Sequence, residues 1–439
     1  MARGQCIGVR EQLTSLLPDA ELERLARETG MVQRRRKVKV AAFFWTLVLG
    51  FGAGRVRSIG GLRRSYERAS GQSLVPSAFY DRFTAATTRF LRAVLGVVLG
   101  HLAKTERPLG GALAAFREVL AADATLVKLH RLLARRYPGS RTNSSPAAAK
   151  LHVVMSVTGA GTKSVKITHG RACEHRVLRL GPWVRDRLLL FDLGYFRYQL
   201  FDCIARNGGY FLSRLATRAD PRIVATHRRW RGRAMALEGL RLSEVADRLR
   251  REVLDAEVEV EFQRRVYGGV RRTARRRLRL VGVRLPEASE YRFYLTNIPP
   301  ETLTPEQVAQ TYAARWTVEL AFAELKSHYR LDELPSRKAH VVESLLLTAV
   351  LTMLISRRLL EVLRVHLTRR QRRVPEGRWA ALFASVAPAI LTLLLSPRRL
   401  AEALARPLER MLLHEAADPN RSRDLLLDRV QNGTVWGST

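Results

Sequence analysis

Apolar residues recur at helical spacing through the first quarter of the chain. The stretch 18–29 is amphipathic, and Gly30 stands where a C-terminal helix cap belongs. Two shorter helical patterns, 58–69 and 77–83, flank a turn that contains a glycine and a proline. This arrangement is compatible with a helix-turn-helix unit as well as with plain helical packing. Residues 1–110 are therefore predicted to form a helical N-terminal domain, with DNA binding as its candidate role.

From about residue 115 the pattern changes to short apolar runs separated by clusters of Gly, Pro, Ser and Asn, which are typical of β-strands. Four of these runs come first: 119–123, 151–157, 164–168 and 188–192. A helical pattern at 198–205 and a further strand at 210–215 follow. Strands that meet helices in this order predict a mixed α/β core, whose first part occupies residues 111–217.

A second change of pattern divides that core. A helical stretch, 240–254, precedes three strand-like runs, and Gly268-Gly269 is expected to turn the first two into a hairpin: 258–266, 277–285 and 291–296. After Pro300 the pattern is helical again. The predicted segments are the helical N-terminal domain (1–110), the first part of the core (111–217), a β-rich insertion (218–290), the second part of the core (291–335) and a helical C-terminal region with a candidate role in dimerisation (336–439).

Three uncharged apolar runs raise the question of a membrane: 40–54, 344–356 and 379–397. The longest would only just span a bilayer and is interrupted by Pro388, so we interpret all three as buried helices and expect no membrane association. The N-terminus lacks the apolar segment of a signal peptide. Three cysteines without C-x-x-C spacing fit a reducing cytoplasm better than a disulfide framework or a zinc site.

The charge of the chain points to its partner. The sequence has 76 Lys plus Arg against 40 Asp plus Glu, a net charge of +36. Self-repulsion on this scale predicts a polyanionic partner, and double-stranded DNA is the expected one. No acidic residue occurs in 124–173 or 262–286. These two segments are candidate phosphate contacts, with solvated faces of an Arg-rich protein as the alternative.

Two aspartates each end an apolar run of the predicted core. Asp123 follows Val119-Leu-Ala-Ala, and Asp192 follows Leu188-Leu-Leu-Phe. A carboxylate at the carboxyl end of a buried strand lies where α/β proteins build their sites. A helix cap or a turn would explain either aspartate alone, whereas two on consecutive core strands favour a functional site.

A third carboxylate belongs to a predicted helix. The segment 304–307, Thr-Pro-Glu-Gln, is a capping box that opens a helix to about Tyr329. One face of this helix carries residues at steps of three and four: Tyr312, Arg315, Glu319, Phe322 and Lys326. A neighbouring apolar face is expected to pack on the sheet: Trp316, Leu320 and Ala323. An exposed Arg315–Glu319 ion pair is the alternative, but it does not account for the tyrosine or for a lysine in a chain with few lysines.

Three carboxylates from two strand ends and one helix suggest a metal site. Hard divalent cations such as Mg²⁺ prefer oxygen ligands and are commonly held by a few carboxylates together with phosphate. Two such ions on either side of a scissile phosphate would activate the attacking oxygen and stabilise the leaving one.

The spacing Tyr312-x2-Arg315-x3-Glu319-x6-Lys326 reproduces the Y-R-E-K signature of a known family, and the sequence resembles the DDE transposases of prokaryotic insertion sequences. Asp123-Ala-Thr125 and Asp192-x-Gly194-x-Phe196 are similar to the two aspartate motifs of that family. The matching branch has a β-rich insertion before its final glutamate, for which the 127 residues from Asp192 to Glu319 leave room.

The resemblance implies a ribonuclease-H-like mixed-sheet catalytic core with a β-rich insertion. In it, Asp123, Asp192 and Glu319 would be the catalytic residues and would bind two Mg²⁺ ions, for which Mn²⁺ can substitute. The residues expected to contact phosphates near the transposon end are Tyr312, Arg315 and Lys326. Some family members stack a flipped base on a tryptophan of the insertion, and Trp230 is a candidate counterpart, with a packing role as the alternative.

The sequence is therefore expected to encode a cytoplasmic, nucleoid-associated transposase. It would bind terminal inverted repeats as a homodimer, cleave the element ends and join the 3′-hydroxyls to target DNA. One alternative is a ribonuclease-H-class nuclease without strand transfer, which a strand-transfer assay with pre-cut ends would distinguish. Another is a non-catalytic basic DNA-binding protein, which would show no metal-dependent nicking.

Overall fold

The computed structural model describes residues 7–33, 38–103, 109–140, 145–157, 161–227, 229–230, 233–234, 236–264, 272–284, 290–368 and 374–418. Helices form the N-terminal part: α1 (Val9–Leu16), α2 (Asp19–Glu28), α3 (Val40–Thr46), α4 (Ile59–Ser70), α5 (Pro76–Tyr80) and α6 (Ala85–Ala103). A π-helical segment, Leu47–Gly52, continues α3. This region is helical, as the apolar periodicity predicted.

Local sequence signals set the ends of these N-terminal helices. Gly30, with φ at +73°, lies in the left-handed conformation two residues beyond α2. At the start of α4 the Ser58 side chain accepts a hydrogen bond from the Gly61 N–H at 3.1 Å, and Gly71 ends the helix with φ at +69°. The predicted helices 18–29, 58–69 and 77–83 are thus confirmed as α2, α4 and α5, with α5 shifted slightly toward the N-terminus.

Nine strands form one sheet in the order β3-β2-β1-β4-β5-β11-β10-β9-β6. They are β1 (Glu118–Lys128), β2 (Ala148–Ser156), β3 (Thr162–His169), β4 (Arg187–Phe191), β5 (Tyr210–Arg214), β6 (Arg222–Thr226), β9 (Val253–Gln263), β10 (Thr273–Arg284) and β11 (Tyr291–Thr296). A separate ribbon pairs β7 (Arg229–Trp230) with β8 (Arg233–Ala234). β1, β4 and β5 are parallel, and the other pairs are antiparallel. The mixed α/β prediction is confirmed at this level.

The predicted hairpin between residues 258 and 285 is confirmed by the antiparallel pair of β9 and β10. Its predicted turn, Gly268-Gly269, lies outside the described residues. The helix predicted over 240–254 is wrong, because only a short helix, α9 (Leu242–Val245), and a single 3₁₀ turn, Ala246–Arg248, form there. β9 already begins at Val253, and every second residue from Ala256 to Phe262 is buried, which is the period of a strand.

The sheet is covered on both faces. Val119 and Ala121 of β1 face the core that the sheet shares with the helices, whereas Leu120 and Ala122 face a second core. This second core includes α8 (Tyr198–Arg206), where Phe201 stacks on Phe211 with ring centroids 4.1 Å apart. A short helix, α7 (Glu174–Val177), lies in the connection between β3 and β4. Successive residues of β1 therefore point into different environments.

Helices follow the sheet: α10 (Pro305–Ala313), α11 (Trp316–Ser327), α12 (Ala339–Thr368), α13 (Glu376–Leu395) and α14 (Arg398–Glu415). By length and composition alone, three helical segments among the described residues could cross a membrane: Ala85–Leu102, Ala339–Leu367 and Glu376–Leu395. In the fold, 89% of an apolar 18-residue window within Ala339–Leu367 is buried in the protein. Thr352 of α12 donates a hydrogen bond to the Val48 carbonyl at 2.9 Å, so α12 is tied to the N-terminal helices.

Candidate active site

The two predicted aspartates lie side by side at one edge of the sheet. Ala122 of β1 is registered with Phe191 of β4, and the two strands run parallel. Asp123 and Asp192 are the next residues after this pair, so they are neighbours where β4 ends, although β1 itself continues to Lys128. Asp192 precedes a 3₁₀ turn, Leu193–Tyr195, that leads the chain away from the sheet. The structure therefore places the aspartates together, and Asp192 follows its strand as predicted. The predicted strand end at Asp123 is wrong, because pairing with β2 extends β1 to Lys128.

Asp123 is a largely buried carboxylate whose charge is only partly compensated. Its side chain is 17% exposed, and its Oδ1 accepts a hydrogen bond from the Ala124 N–H at 2.7 Å. Burial raises the pKa of Asp123 to about 6; this hydrogen bond and Arg315 oppose the shift, and the negative charge of Asp192 adds to it. Below a pH of about 6 the carboxyl group is therefore mainly protonated, and it gains its charge as the pH rises.

The helix that carries Glu319 begins later than the sequence suggested. Thr304 and Gln307 form the predicted capping box and open α10, which confirms the start. The single helix predicted to reach Tyr329 is wrong, because α10 ends at Ala313 and α11 begins at Trp316. Val318 N–H bonds to the Arg315 carbonyl, a tighter spacing than in an α-helix. So short an interruption leaves the helical spacing of the side chains unchanged, and the sequence pattern therefore does not reveal it.

Arg315 joins two of the three predicted carboxylates. Its Nη2 lies 2.5 Å from Oε1 of Glu319, and its Nη1 lies 3.6 Å from Oδ2 of Asp123. The Arg315 side chain is 10% exposed, and its Nε is buried without a hydrogen-bond partner in the described structure. The predicted Arg315–Glu319 ion pair exists, but it lies at the edge of the sheet beside Asp123. The guanidinium brings α11 and β1 together.

The apolar face predicted to pack on the sheet is instead exposed. Trp316 and Leu320 each have 60% of their surface accessible, and Ala323 is also exposed. The residues of α11 that are buried in their place are Val318, Ala321, Phe322, Glu324 and Leu325. The prediction for Trp316, Leu320 and Ala323 is wrong, because another apolar set at steps of three and four, Val318, Ala321 and Leu325, forms the buried face instead.

Tyr312 and Lys326 flank this arrangement in different environments. Tyr312 is 7% exposed, and its hydroxyl donates to the Phe191 carbonyl at 3.3 Å, directly before Asp192. Burial raises the pKa of Tyr312 to about 12, so the hydroxyl stays protonated. Lys326 is half-buried, and its charge reaches Asp332, which also feels the charge of Lys128. Tyr312 thus supports the end of β4, while Lys326 adds positive charge nearby.

Glu174 is a nearby carboxylate that the sequence analysis missed. Its charge contributes to the raised pKa of Asp123, and its Oε1 lies 3.4 Å from Nζ of Lys150. A Cβ atom at Gly194 would lie 2.5 Å from Oε2 of Glu174, so the glycine of the Asp192 motif leaves room for this side chain. The sequence held one signal: Glu174 is the first acidic residue after the acid-free segment 124–173.

The donor atoms at the sheet edge have the chemistry that a divalent cation requires. Within the described part of the chain, no three His, Cys, Asp or Glu side chains stand together as ligands for one ion. Asp123 and Asp192 share the edge, whereas Glu319 is engaged by Arg315. Burial disfavours the charged form of Asp123, and Arg315 offsets this only in part. A cation beside the two aspartates would therefore stabilise the charged carboxylate. The residues therefore fit a divalent cation at the aspartate pair.

Comparison with known proteins gives consistent matches. The family model described as "Transposase DDE domain" matches residues 114–355. The transposase for insertion sequence element IS231B of Bacillus thuringiensis subsp. berliner is 23% identical over 377 residues, which cover 76% of this chain and 75% of that protein. The transposase for IS1151 of Clostridium perfringens is 20% identical over 367 residues, covering 76% and 77%.

Among solved structures, the chain resembles piggyBac transposase in a synaptic complex with hairpin DNA. The TM-score is 0.46 and the sequence identity is 13%, and the match covers 94% of this chain and 86% of that one. The family match alone spans more than half of the sequence. Its region contains β1, β4 and α11, which carry the three carboxylates. This protein therefore belongs to the DDE transposase family of insertion sequences and is a metal-dependent DNA transposition enzyme.

Proposed function

We propose that this transposase binds the terminal inverted repeats of its element as a homodimer, cleaves the ends and joins the 3′-hydroxyls to target DNA. The observation that carries the proposal is the meeting of Asp123, Asp192 and the Arg315–Glu319 pair at one edge of the sheet. A purely structural role would not explain why a desolvated carboxylate with a raised pKa stands beside a second aspartate.

In this proposal Asp123, Asp192 and Glu319 are the catalytic ligands of two Mg²⁺ ions, for which Mn²⁺ can substitute. When bound, such ions activate an attacking oxygen and stabilise the leaving one. The protein itself positions the ligands. Parallel pairing of β1 with β4 places the two aspartates side by side, and the Tyr312 hydroxyl donates to the Phe191 carbonyl directly before Asp192.

In the proposal, Arg315 pairs first with carboxylates of the site and then with a phosphate of the DNA. In the structure it pairs with Glu319 and Asp123. When DNA arrives, we propose that Arg315 turns to a phosphate beside the cleaved bond and frees Glu319. Tyr312 and Lys326 are the other proposed contacts near the transposon end, and Lys326 is the more accessible of these two.

Features of the chain outside the carboxylates support a ribonuclease-H-like core. The strands β3-β2-β1-β4-β5 are consecutive in the sheet, with β1, β4 and β5 parallel. Three strands of the segment 218–290, β10, β9 and β6, continue this sheet beyond β11. We propose residues 1–110 as a DNA-binding domain, residues 336–439 as a dimerisation region and the nucleoid as the place of action. A base-stacking role for Trp230 also remains a proposal, since its side chain lies outside the described residues.

The two acid-free segments differ in the partners that the fold gives them. On β10, Arg275 and Arg277 are registered with Glu261 and Glu259 of β9, and Arg275 lies 3.1 Å from Glu261. The segment 124–173 instead exposes three cations just beyond Asp123: Lys128, Arg131 and Arg135. None of these three forms an ion pair with a carboxylate of the described residues. We therefore propose the end of β1 as the stronger phosphate-binding surface.

Replacing Lys128, Arg131 and Arg135 together with alanine is expected to reduce the salt dependence of DNA binding. Each lost phosphate contact lowers the slope of log K against log salt by about 0.9, so the triple variant should lose up to about 2.7. Fluorescence anisotropy over a salt series measures the slope. The matched control, Arg275→Ala with Arg277→Ala, should change it less because cross-strand glutamates already neutralise those arginines. A larger effect of the control would contradict this assignment.

Strand transfer tests the proposed function itself. Pre-cut duplexes that end in the inverted repeats flanking the coding region are incubated with a supercoiled target plasmid and Mg²⁺. We expect joined products that carry the duplex on the plasmid, and none when the cation is chelated. Metal-dependent nicking without joined products would instead identify a nuclease, and binding without either reaction would identify a non-catalytic DNA-binding protein.

A further inference from the structure

A cavity of about 300 Å³ opens on the face of the sheet opposite Asp123. Asp123 is registered with Val153, whereas the next residue, Ala124, is registered with His152. Because neighbouring side chains of a strand point to opposite faces, His152 lies on the far side of the sheet from the Asp123 carboxylate. The floor of the cavity is formed by β2 and β3, and one wall by the segment 177–183. This cavity is separate from the three carboxylates.

The cavity collects positive charge. Lys163, Lys166, Arg179 and Arg187 line it. The register between β2 and β3 shifts so that Ser164 pairs with Val154 and Thr162 with Met155, which leaves Lys163 as the extra residue of a β-bulge. Such a bulge redirects a side chain, and Lys163 joins the face that carries Ser164. One carboxylate, Glu118, lies 3.2 Å from Lys163 and 3.1 Å from Arg187.

The other two cations of the cavity lack a carboxylate among the described residues. Lys166 donates to the Val177 carbonyl at 2.9 Å, and the nearby charge of Arg179 and burial both depress its pKa, burial more strongly. Arg179 is exposed and forms no ion pair with a described residue. Lys166 and Arg179 repel each other, and Glu118 is engaged by the other two cations of the cavity. An anion bound between Lys166 and Arg179 would relieve this repulsion.

His152 provides a buried polar group in the same wall. It is 6% exposed, and its Nε2 shares a hydrogen bond of 2.8 Å with the Thr168 hydroxyl. Its Nδ1 is buried without a partner in the described structure. Burial, together with Lys150 and Lys166, lowers the pKa of His152 to about 4, so the imidazole is neutral at physiological pH. An unsatisfied nitrogen of this kind is costly unless a ligand or a water pairs with it.

The remaining wall of the cavity is apolar and includes an aromatic ring. Val154, Val177, Leu178 and Trp183 contribute to it. The Trp183 Nε1 donates to the Arg179 carbonyl at 3.0 Å, which fixes the indole next to the cationic end. A small inorganic anion would use the cations but would leave this apolar surface uncovered. A ligand with an anionic group and a flat ring would use both parts.

We propose that this cavity binds a nucleotide, with the phosphate at Lys163, Lys166 and Arg179 and the base against Trp183 and Leu178. The nucleotide has two conceivable sources, a free mononucleotide or a nucleotide unit of a DNA strand. Tyr195 lines the inner end of the cavity and senses the charge of Asp123, so an occupant would lie close to the proposed catalytic edge. Binding there does not depend on the carboxylates being catalytic.

Isothermal titration calorimetry of the full chain without divalent cation tests the site with deoxyadenosine monophosphate, adenosine and inorganic phosphate. The nucleotide should bind more tightly than either fragment. Lys166→Gln should weaken nucleotide binding about tenfold, because a charge-assisted hydrogen bond is lost. The matched control Lys338→Gln removes an exposed lysine outside the cavity and should leave the affinity within about twofold.

A second variant, Leu178→Trp, fills the cavity without changing its charge and should also block binding. Competition by a terminal-repeat duplex would identify the DNA strand as the source, whereas simultaneous binding would identify a free nucleotide. The proposal is overturned if the nucleotide gives no binding heat, if inorganic phosphate binds equally well, or if neither variant weakens binding. Because cleavage is not measured, failure of the proposed transposition mechanism would leave these results unchanged.

Discussion

Asp123→Asn, Asp192→Asn and Glu319→Gln are each expected to reduce cleavage and joining of transposon ends by at least about 1,000-fold. Every substitution removes a negative oxygen ligand while keeping the shape of the side chain, and two-ion catalysis requires all ligands to place the ions across the scissile phosphate. A factor of about 1,000 corresponds to roughly 4 kcal/mol of activation free energy. Mg²⁺-dependent cleavage of a terminal-repeat duplex, with quantified products, measures the effect.

DNA binding by the same three variants should persist, because affinity depends mainly on cations that contact the backbone. Asp186→Asn is the matched control. Asp186 is exposed and has φ at +58°, a conformation that asparagine also adopts readily, so this variant should keep nearly full activity. Robust cleavage by Glu319→Gln, or an equal loss in Asp186→Asn, would remove the basis for assigning the chemistry to these carboxylates.

Glu324→Ala should lower the free energy of unfolding by about 3–5 kcal/mol, although Glu324 is only five residues from Glu319. Glu324 lies 2.8 Å from Arg357 of α12, and both side chains are only 5% exposed. Removing Glu324 leaves the buried Arg357 charge with only the more exposed and more distant Glu376, 3.5 Å away, so most of its compensation is lost. Urea denaturation followed by circular dichroism measures the loss, and the expected size is a large fraction of the total stability of a domain.

The exposed pair of Arg398 and Glu402 provides the comparison, since its side chains are 91% and 67% accessible. Glu402→Ala should change the unfolding free energy by less than about 0.5 kcal/mol. Replacing both buried partners, as Glu324→Leu with Arg357→Met, should cost less than Glu324→Ala alone, because no unpaired charge remains. Equal losses in the single and double variants would show that packing, and not the ion pair, stabilises this junction.

The sequence could predict that the two aspartates meet, because each follows an apolar run of a core strand and the two strands are parallel neighbours. It could also predict the start of α10, since a capping box is a local signal. It could not predict the end of β1, since polar residues beyond Asp123 continue the strand through pairing with β2.

The break before α11 was not predictable from periodicity. The periodicity also allowed two apolar faces for this helix, and only the fold shows that Val318 is buried and Trp316 exposed. The contact of Arg315 with Asp123 joins residues almost 200 positions apart, which no local pattern reveals.

Contacts between distant residues also determine whether the charges of the basic segments are neutralised. Arginines 275 and 277 stand in an acid-free stretch, yet β9 brings glutamates opposite them, and only the strand register reveals this neutralisation. Glu174 reached the site in the same way, through the room that Gly194 leaves. The sequence thus predicted most of the elements, while the charge balance of each surface depended on the tertiary fold.

The order of strands in the sheet has a consequence for the timing of synthesis. β11 lies between β5 and β10, so the chain must complete residue 296 before the sheet can close, and Glu319 is made later still. At about 5–20 residues per second, the ribosome needs roughly 6–25 seconds to travel from Asp192 to Glu319. The nascent polypeptide therefore carries both aspartates for many seconds without its glutamate, and a chain whose translation stops in this interval is released without the third carboxylate.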